Sequence, residues 1–87
     1  MLIDRVKVAL RTLTDDEGIN SEIQTLIDSC VLDLKDTNIE ALDDEGEPIN
    51  KNVELAIVQY VKGYFFSNEE HIVRYDKLKA HLGIKND

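Results

Sequence analysis

The chain has 87 residues, of which 43% are hydrophobic and 32% charged, and a formal net charge of −8. That composition suits one globular domain, residues 1–87, near the size where a single core is sufficient but thin, and it excludes a disordered tail. The acidic balance argues against a general nucleic-acid binder, which neutralises phosphates with Lys and Arg.

No stretch approaches the roughly 18 uninterrupted apolar residues of a bilayer span. The opening MLIDRVKVALR sets charges among its apolar residues, unlike a secretory signal. The single cysteine, Cys30, cannot form an internal disulfide. Charge is unevenly spread: residues 1–14 balance at +2, residues 15–47 at −11 and residues 48–87 at +1. Unlike ends and middle can steer contacts between copies, while a solvated acidic face is the plainer reading.

A first helix is marked by Ile3, Val6, Leu10 and Leu13 at spacings of three and four. Asp4, Lys7 and Arg11 form a charged stripe beside them. The segment TDDEG then breaks the pattern, with Gly18 as punctuation. A second, amphipathic helix is marked by Ile19, Ile23, Leu26, Ile27, Cys30, Val31 and Leu34, which follow the three-four rule. Ser21 and Gln24 have the spacing of a capping box, which predicts the first turn there and leaves Ile19 in the approach. Asp28, Asp33 and Asp36 are expected to face water.

Residues 38–51 exceed the roughly 2–8 residues that join packed helices. Ile39, Ala41 and Leu42 are expected to anchor this loop, and DDEGEP to project from it. Pro48 marks the approach to a third helix, capped by Asn50 or Asn52. From Val53 to Phe66 only Glu54, Gln59 and Lys62 are strongly polar. One face holds Val53, Ala56, Ile57, Tyr60, Val61 and Tyr64, while Leu55, Val58, Phe65 and Phe66 fall on the flank and back. Gly63 inside this helix costs about 1 kcal/mol relative to alanine; a close helix crossing or simple drift would account for it. Ser67 and Glu70 have capping-box spacing for a fourth helix, with His71, Tyr75, Leu78 and Leu82 on one side. Gly83 reads as its left-handed stop. The fold expected is all-α, a compact four-helix bundle with a long acidic loop between the second and third helices.

Reactive constellations are missing from the sequence. An EF-hand loop with Gly46 or Gly18 at its sixth position places Ala41 or Leu13 at the first, where an oxygen ligand is required. His71 and His81 lie ten positions apart, off a common helix face, and Cys30 sits on an apolar stripe. No Gly-rich phosphate loop, nucleophile elbow or H-E-x-x-H motif is present. The expectation is a protein that is not an enzyme and holds no cofactor or metal.

A helix that is apolar around most of its circumference is normally buried, and three short partners leave part of it over. An uncovered apolar strip on a small protein marks an interface. Leu55, Val58, Lys62 and Phe66 are therefore the candidate subunit contact. Asp43, Asp44, Glu45 and Glu47 would form a ring of negative charge if several copies were arranged about an axis, beside the plainer reading of a solvated acidic loop.

From MLIDRVKVALRTLTDDEGINSEIQTLIDSCVLDL through the loop to VELAIVQYVKGYFF and the helix after it, the chain resembles the small helical head–tail connector (head-completion) proteins of long-tailed phages and prophages. The likeness is one of element order and texture. It implies a structural role in the virion, assembled in the host bacterial cytoplasm without contact to a membrane. It also implies a homo-oligomeric ring of about twelve copies with closed symmetry, set between the portal protein and the tail-proximal head-completion protein. DNA would pass through the channel without specific binding, and the resemblance makes Leu55, Val58, Lys62 and Phe66 the candidate subunit contact and Asp43, Asp44, Glu45 and Glu47 a candidate channel or docking loop. The rival reading is an acidic DNA mimic or small regulator that occupies a basic partner, for which the net charge of −8 is suited.

Overall fold

Four helices follow in the expected order: α1 (Leu2–Ala9), α2 (Glu17–Lys35), α3 (Lys51–Phe65) and α4 (Glu69–Lys85). They are taken from a computed structural model that describes residues 2–11 and 16–85. Among these residues there is no strand; Leu42 and Pro48 form one isolated antiparallel bridge inside the loop. The fold is all-α, a compact four-helix bundle.

Helix α1 turns Leu2 and Val6 inward, and Leu10 follows them into the core from the turn beyond. It closes where the Leu10 amide donates to the Val6 carbonyl at 2.9 Å and Arg11 takes a left-handed φ of 58°. Leu13, assigned to this face by its spacing, lies outside the described residues.

Helix α2 starts a turn earlier than the capping-box spacing indicates. Asp16 is the N-cap: its Oδ1 accepts from the amides of Gly18 at 2.8 Å and Ile19 at 3.1 Å. A carboxylate accepts as a serine hydroxyl does and adds charge that the positive helix end favours. Gly18 therefore lies in the first turn and is no break, and Ile19 packs against the core. Ser21 is interior to the helix, and Gln24 donates forward to Asp28 Oδ1 at 2.9 Å. At the other end Asn38 adopts φ 63°, and the Ile39 amide donates to the Leu34 carbonyl at 3.0 Å. The buried side chains of Ile39 and Leu34 complete the apolar pairing typical of this six-to-one closure.

The loop is anchored by buried Ile39 and Ala41, with Leu42 packed beside them, as expected. It does not simply project. The Ile49 amide donates to the Ala41 carbonyl at 3.0 Å, and Asp43 exchanges backbone bonds with Glu47 and Gly46 at 2.7 and 3.0 Å. Asp43 Oδ1 also accepts from the Glu45 and Glu47 amides at 2.9 and 3.0 Å. Gly46, at φ 80°, occupies the left-handed position that lets the chain double back.

Of the two candidate caps for α3, Asn50 serves: its Oδ1 accepts from the Val53 amide at 2.9 Å, and Asn52 lies inside the helix. Ser67 takes φ 53° and the Asn68 amide donates to the Gly63 carbonyl at 2.8 Å, so Ser67 closes α3 and does not cap α4. Asn68 Oδ1 accepts from the Glu70 amide at 3.0 Å and takes the capping role. Helix α4 continues through Gly83 to Lys85, and Gly83 has no left-handed φ. Glycine permits the left-handed conformation without imposing it.

Helix α3 is central and packs most extensively on α4, then on α2. Val53, Ala56, Ile57 and Val61 are fully buried against Ile23, Ile27, Cys30 and Leu34 of α2 and Tyr75 and Leu82 of α4. Each buried Val or Ile side chain contributes about 1.5–3 kcal/mol relative to exposure. A Cβ added at Gly63 would stand 2.5 Å from Ile72 Cγ1 and 3.1 Å from its backbone nitrogen. A close α3–α4 crossing, and not drift, therefore explains the glycine.

Candidate functional site

Two polar clasps fix the helices whose surfaces matter. Arg5 of α1 donates from Nη1 to Glu47 Oε1 at 3.0 Å and from Nε to Glu54 Oε1 at 2.7 Å. One guanidinium thus pins the acidic loop and the first turn of α3 to α1, and the two carboxylates raise its pKa further. Glu47 is accordingly half-buried and engaged, while Asp43, Asp44 and Glu45 are exposed.

The second clasp joins α2 to α4. Asp33 Oδ2 accepts from Tyr75 Oη at 2.5 Å and from Lys79 Nζ at 2.9 Å. Partial burial pushes the Asp33 carboxyl up, but the Tyr75 and Lys79 hydrogen bonds and the lysine charge outweigh it, and the net shift is down. Burial and the bond to Asp33 push the Tyr75 phenol well up. Burial also raises the Cys30 thiol from an ordinary 9.0 to about 12, against a smaller lowering by Tyr75. A thiol so protonated and enclosed is a core residue, not a nucleophile. Tyr75 further stacks edge-on with Tyr60 at 4.9 Å, which extends the clasp into α3.

His71 pairs through Nδ1 with Gln59 Oε1 at 2.7 Å and holds α4 against α3. Exposed His81 lies ten residues further along the same helix. Among the described residues no cluster of three or more His, Cys, Asp and Glu side chains is disposed to hold a metal ion.

The α3 strip is uneven. Leu55 is 47% exposed and Phe66 52% exposed, whereas Val58 and Lys62 are half-buried, with Val58 packed against the core. Phe66 is braced by an edge-on contact with Phe65 at 5.1 Å. Leu55 also forms, with Leu78 and Gln59, the floor of a shallow groove between α3 and α4, flanked by Arg74 and Lys77. Sequence spacing gave Leu55 but not the groove, because the pairing of Leu55 with Leu78 depends on how α3 and α4 cross. The Asp33–Tyr75–Lys79 clasp was also missed, since Asp33 reads as one more solvent-facing acid. The i, i+4 placement of Tyr75 and Lys79 was its one local trace.

Fold and surface together define a small all-α chain distinguished by interhelical clasps and uncovered apolar side chains. The family model for phage connector proteins matches residues 2–87, and the chain belongs to that family of phage structural proteins. No curated protein and no solved structure matches it. No described helix is long and apolar enough to cross a membrane.

Proposed function

We propose that this chain is a ring-forming subunit at the head–tail junction of the virion, one domain per copy, seated between the portal protein and the tail-proximal completion protein. The ring of about twelve copies, closed by repeated head-to-tail contacts, extends the channel through which DNA passes. The observation that carries this reading is the outer side of α3, where Leu55 and Phe66 remain uncovered on a chain of the connector family. Exposed apolar surface of this kind is covered by a partner.

Leu55, Lys62 and Phe66 supply the subunit contact, with Val58 stiffening the strip from beneath. The exposed Asp43, Asp44 and Glu45 are placed toward the channel or a neighbouring ring, on a loop held in shape by Arg5 and Glu47. Repeated about an axis they would repel a DNA backbone and let it slide, since phosphate attraction dominates DNA affinity. No catalytic step is assigned. Family membership favours this reading over that of an acidic DNA mimic.

Negative-stain imaging of the purified chain, alone and mixed with purified portal rings, tests the proposal. The expected result is rings of this chain, free or stacked coaxially on the portal. Bare portals beside unassembled chain would overturn it.

A further inference from the structure

The groove between α3 and α4 has an apolar floor and a basic rim. Leu55 and Leu78 form the floor with the aliphatic stems of Arg74 and Lys77, whose charged ends reach water. Among the described residues Arg74 is held by an exposed ion pair to Glu70 at 3.6 Å, a loose contact that lets its guanidinium reorient. Lys79, the other base nearby on α4, is engaged by Asp33.

The complementary shape is on the same chain. Leu32 of α2 is 63% exposed, one of the most exposed large apolar side chains described, and points away from the core. Asp28 and Asp36 lie one turn before and one turn after it, both exposed on that face. Asp28 is steadied by Gln24 at 2.9 Å, and Lys35 is the only base of α2.

We infer that the α3–α4 groove seats α2 of an adjacent copy, with Leu32 entering between Leu55 and Leu78 while Asp28 and Asp36 face Arg74 and Lys77. The inference rests on the reading of the chain as a self-assembling subunit and names the two surfaces that meet. Charge singles out a second copy as the occupant. Copies with a net charge of −8 repel one another, and contact is favoured where the basic minority of one meets the acids of the next. The two surfaces share no residue, so one copy engages two neighbours. Such heterologous contacts propagate into a ring when the rotation closes. The acidic loop takes no part and stays available to the channel.

Charge reversal tests the contact. One variant carries Arg74→Glu and Lys77→Glu; the other carries Asp28→Lys and Asp36→Lys. All four positions are exposed, and circular dichroism checks that both variants fold. Light scattering up to about 1 mM, the weak end of specific association, reads the mass of each variant, of wild type and of an equimolar mixture. Each variant alone should lose self-association by at least about tenfold, because like charges then face each other. The mixture should recover it, since every contact between unlike variants restores opposite charges. Wild-type assembly with both variants unimpaired overturns the contact and leaves the ring reading standing. Impaired variants that do not rescue each other also overturn it. A wild-type chain that stays monomeric throughout overturns the contact, and the ring reading falls with it only where added portal also fails to assemble the chain.

Discussion

On its inner side α3 presents Val53, Ala56, Ile57 and Val61, all fully buried against α2 and α4, whereas on its outer side Leu55 and Phe66 stand about half exposed. Both sides are apolar, but only the inner one is used by the fold. The inner side accounts for stability and the outer one for assembly, so substitutions on the two sides should fail in different ways.

The largest expected effect is on the inner side. Ile57→Ala removes a fully buried side chain from the centre of the bundle and should cost about 2–5 kcal/mol, read as a lowered midpoint in urea. Next comes the crossing with α4. Gly63→Val places atoms against Ile72 Cγ1 and its backbone nitrogen and should cost about 1–3 kcal/mol by forcing the helices apart.

Tyr75→Phe sharpens the comparison from the α2–α4 clasp. It removes one of the two hydrogen bonds to a partly exposed Asp33 and should cost about 1 kcal/mol. Its pH signature is more specific. Asp33 is held below its ordinary 3.8, so its contribution is present above that value and is lost as pH falls through the lowered folded value. Tyr75 and Cys30 are shifted upward from ordinary values of 10.0 and 9.0, so their contribution is complete below those values. It erodes as pH climbs toward the raised folded values. Thermal stability should therefore fall at both extremes, and Tyr75→Phe should flatten the alkaline fall.

The smallest effect on stability is expected on the outer side. Leu55→Gln and Phe66→Gln should each move stability by no more than about 0.5 kcal/mol while weakening self-association in gel filtration. A large drop in melting temperature would instead place these residues in the monomer core. Val58 is a poorer probe, because it packs against the core and a polar residue there would confound the two effects.

Much of this division was legible in the sequence. Three-four spacing gave all four helices and the inner face of α3, since burial on one side imposes that period on the chain. Helix ends were less legible: Ser21, Ser67 and Gly83 each carry a plausible cap or stop signal, yet Asp16 and Asn68 take the capping roles and the helix passes through Gly83. Several side chains near a terminus can accept the same amide, and tertiary packing decides among them. The acidic loop was found as a loop but not as a folded one, because its shape depends on Asp43 bonding its own backbone and on Arg5 reaching Glu47. The outer strip was recognised by composition, but its division into exposed Leu55 and Phe66 and half-buried Val58 and Lys62 depends on where neighbouring helices lie. The groove shared with Leu78 is a contact between elements, which spacing within one helix does not encode.

The most direct test of the central claim is the mass of the wild-type chain in solution across a concentration series, by light scattering after gel filtration. The expected result is a rise from 9.9 kDa toward a discrete multiple, near a dozen copies for a closed ring. A mass fixed at 9.9 kDa throughout, and unchanged when portal is added, would contradict it and leave the outer side of α3 without its partner.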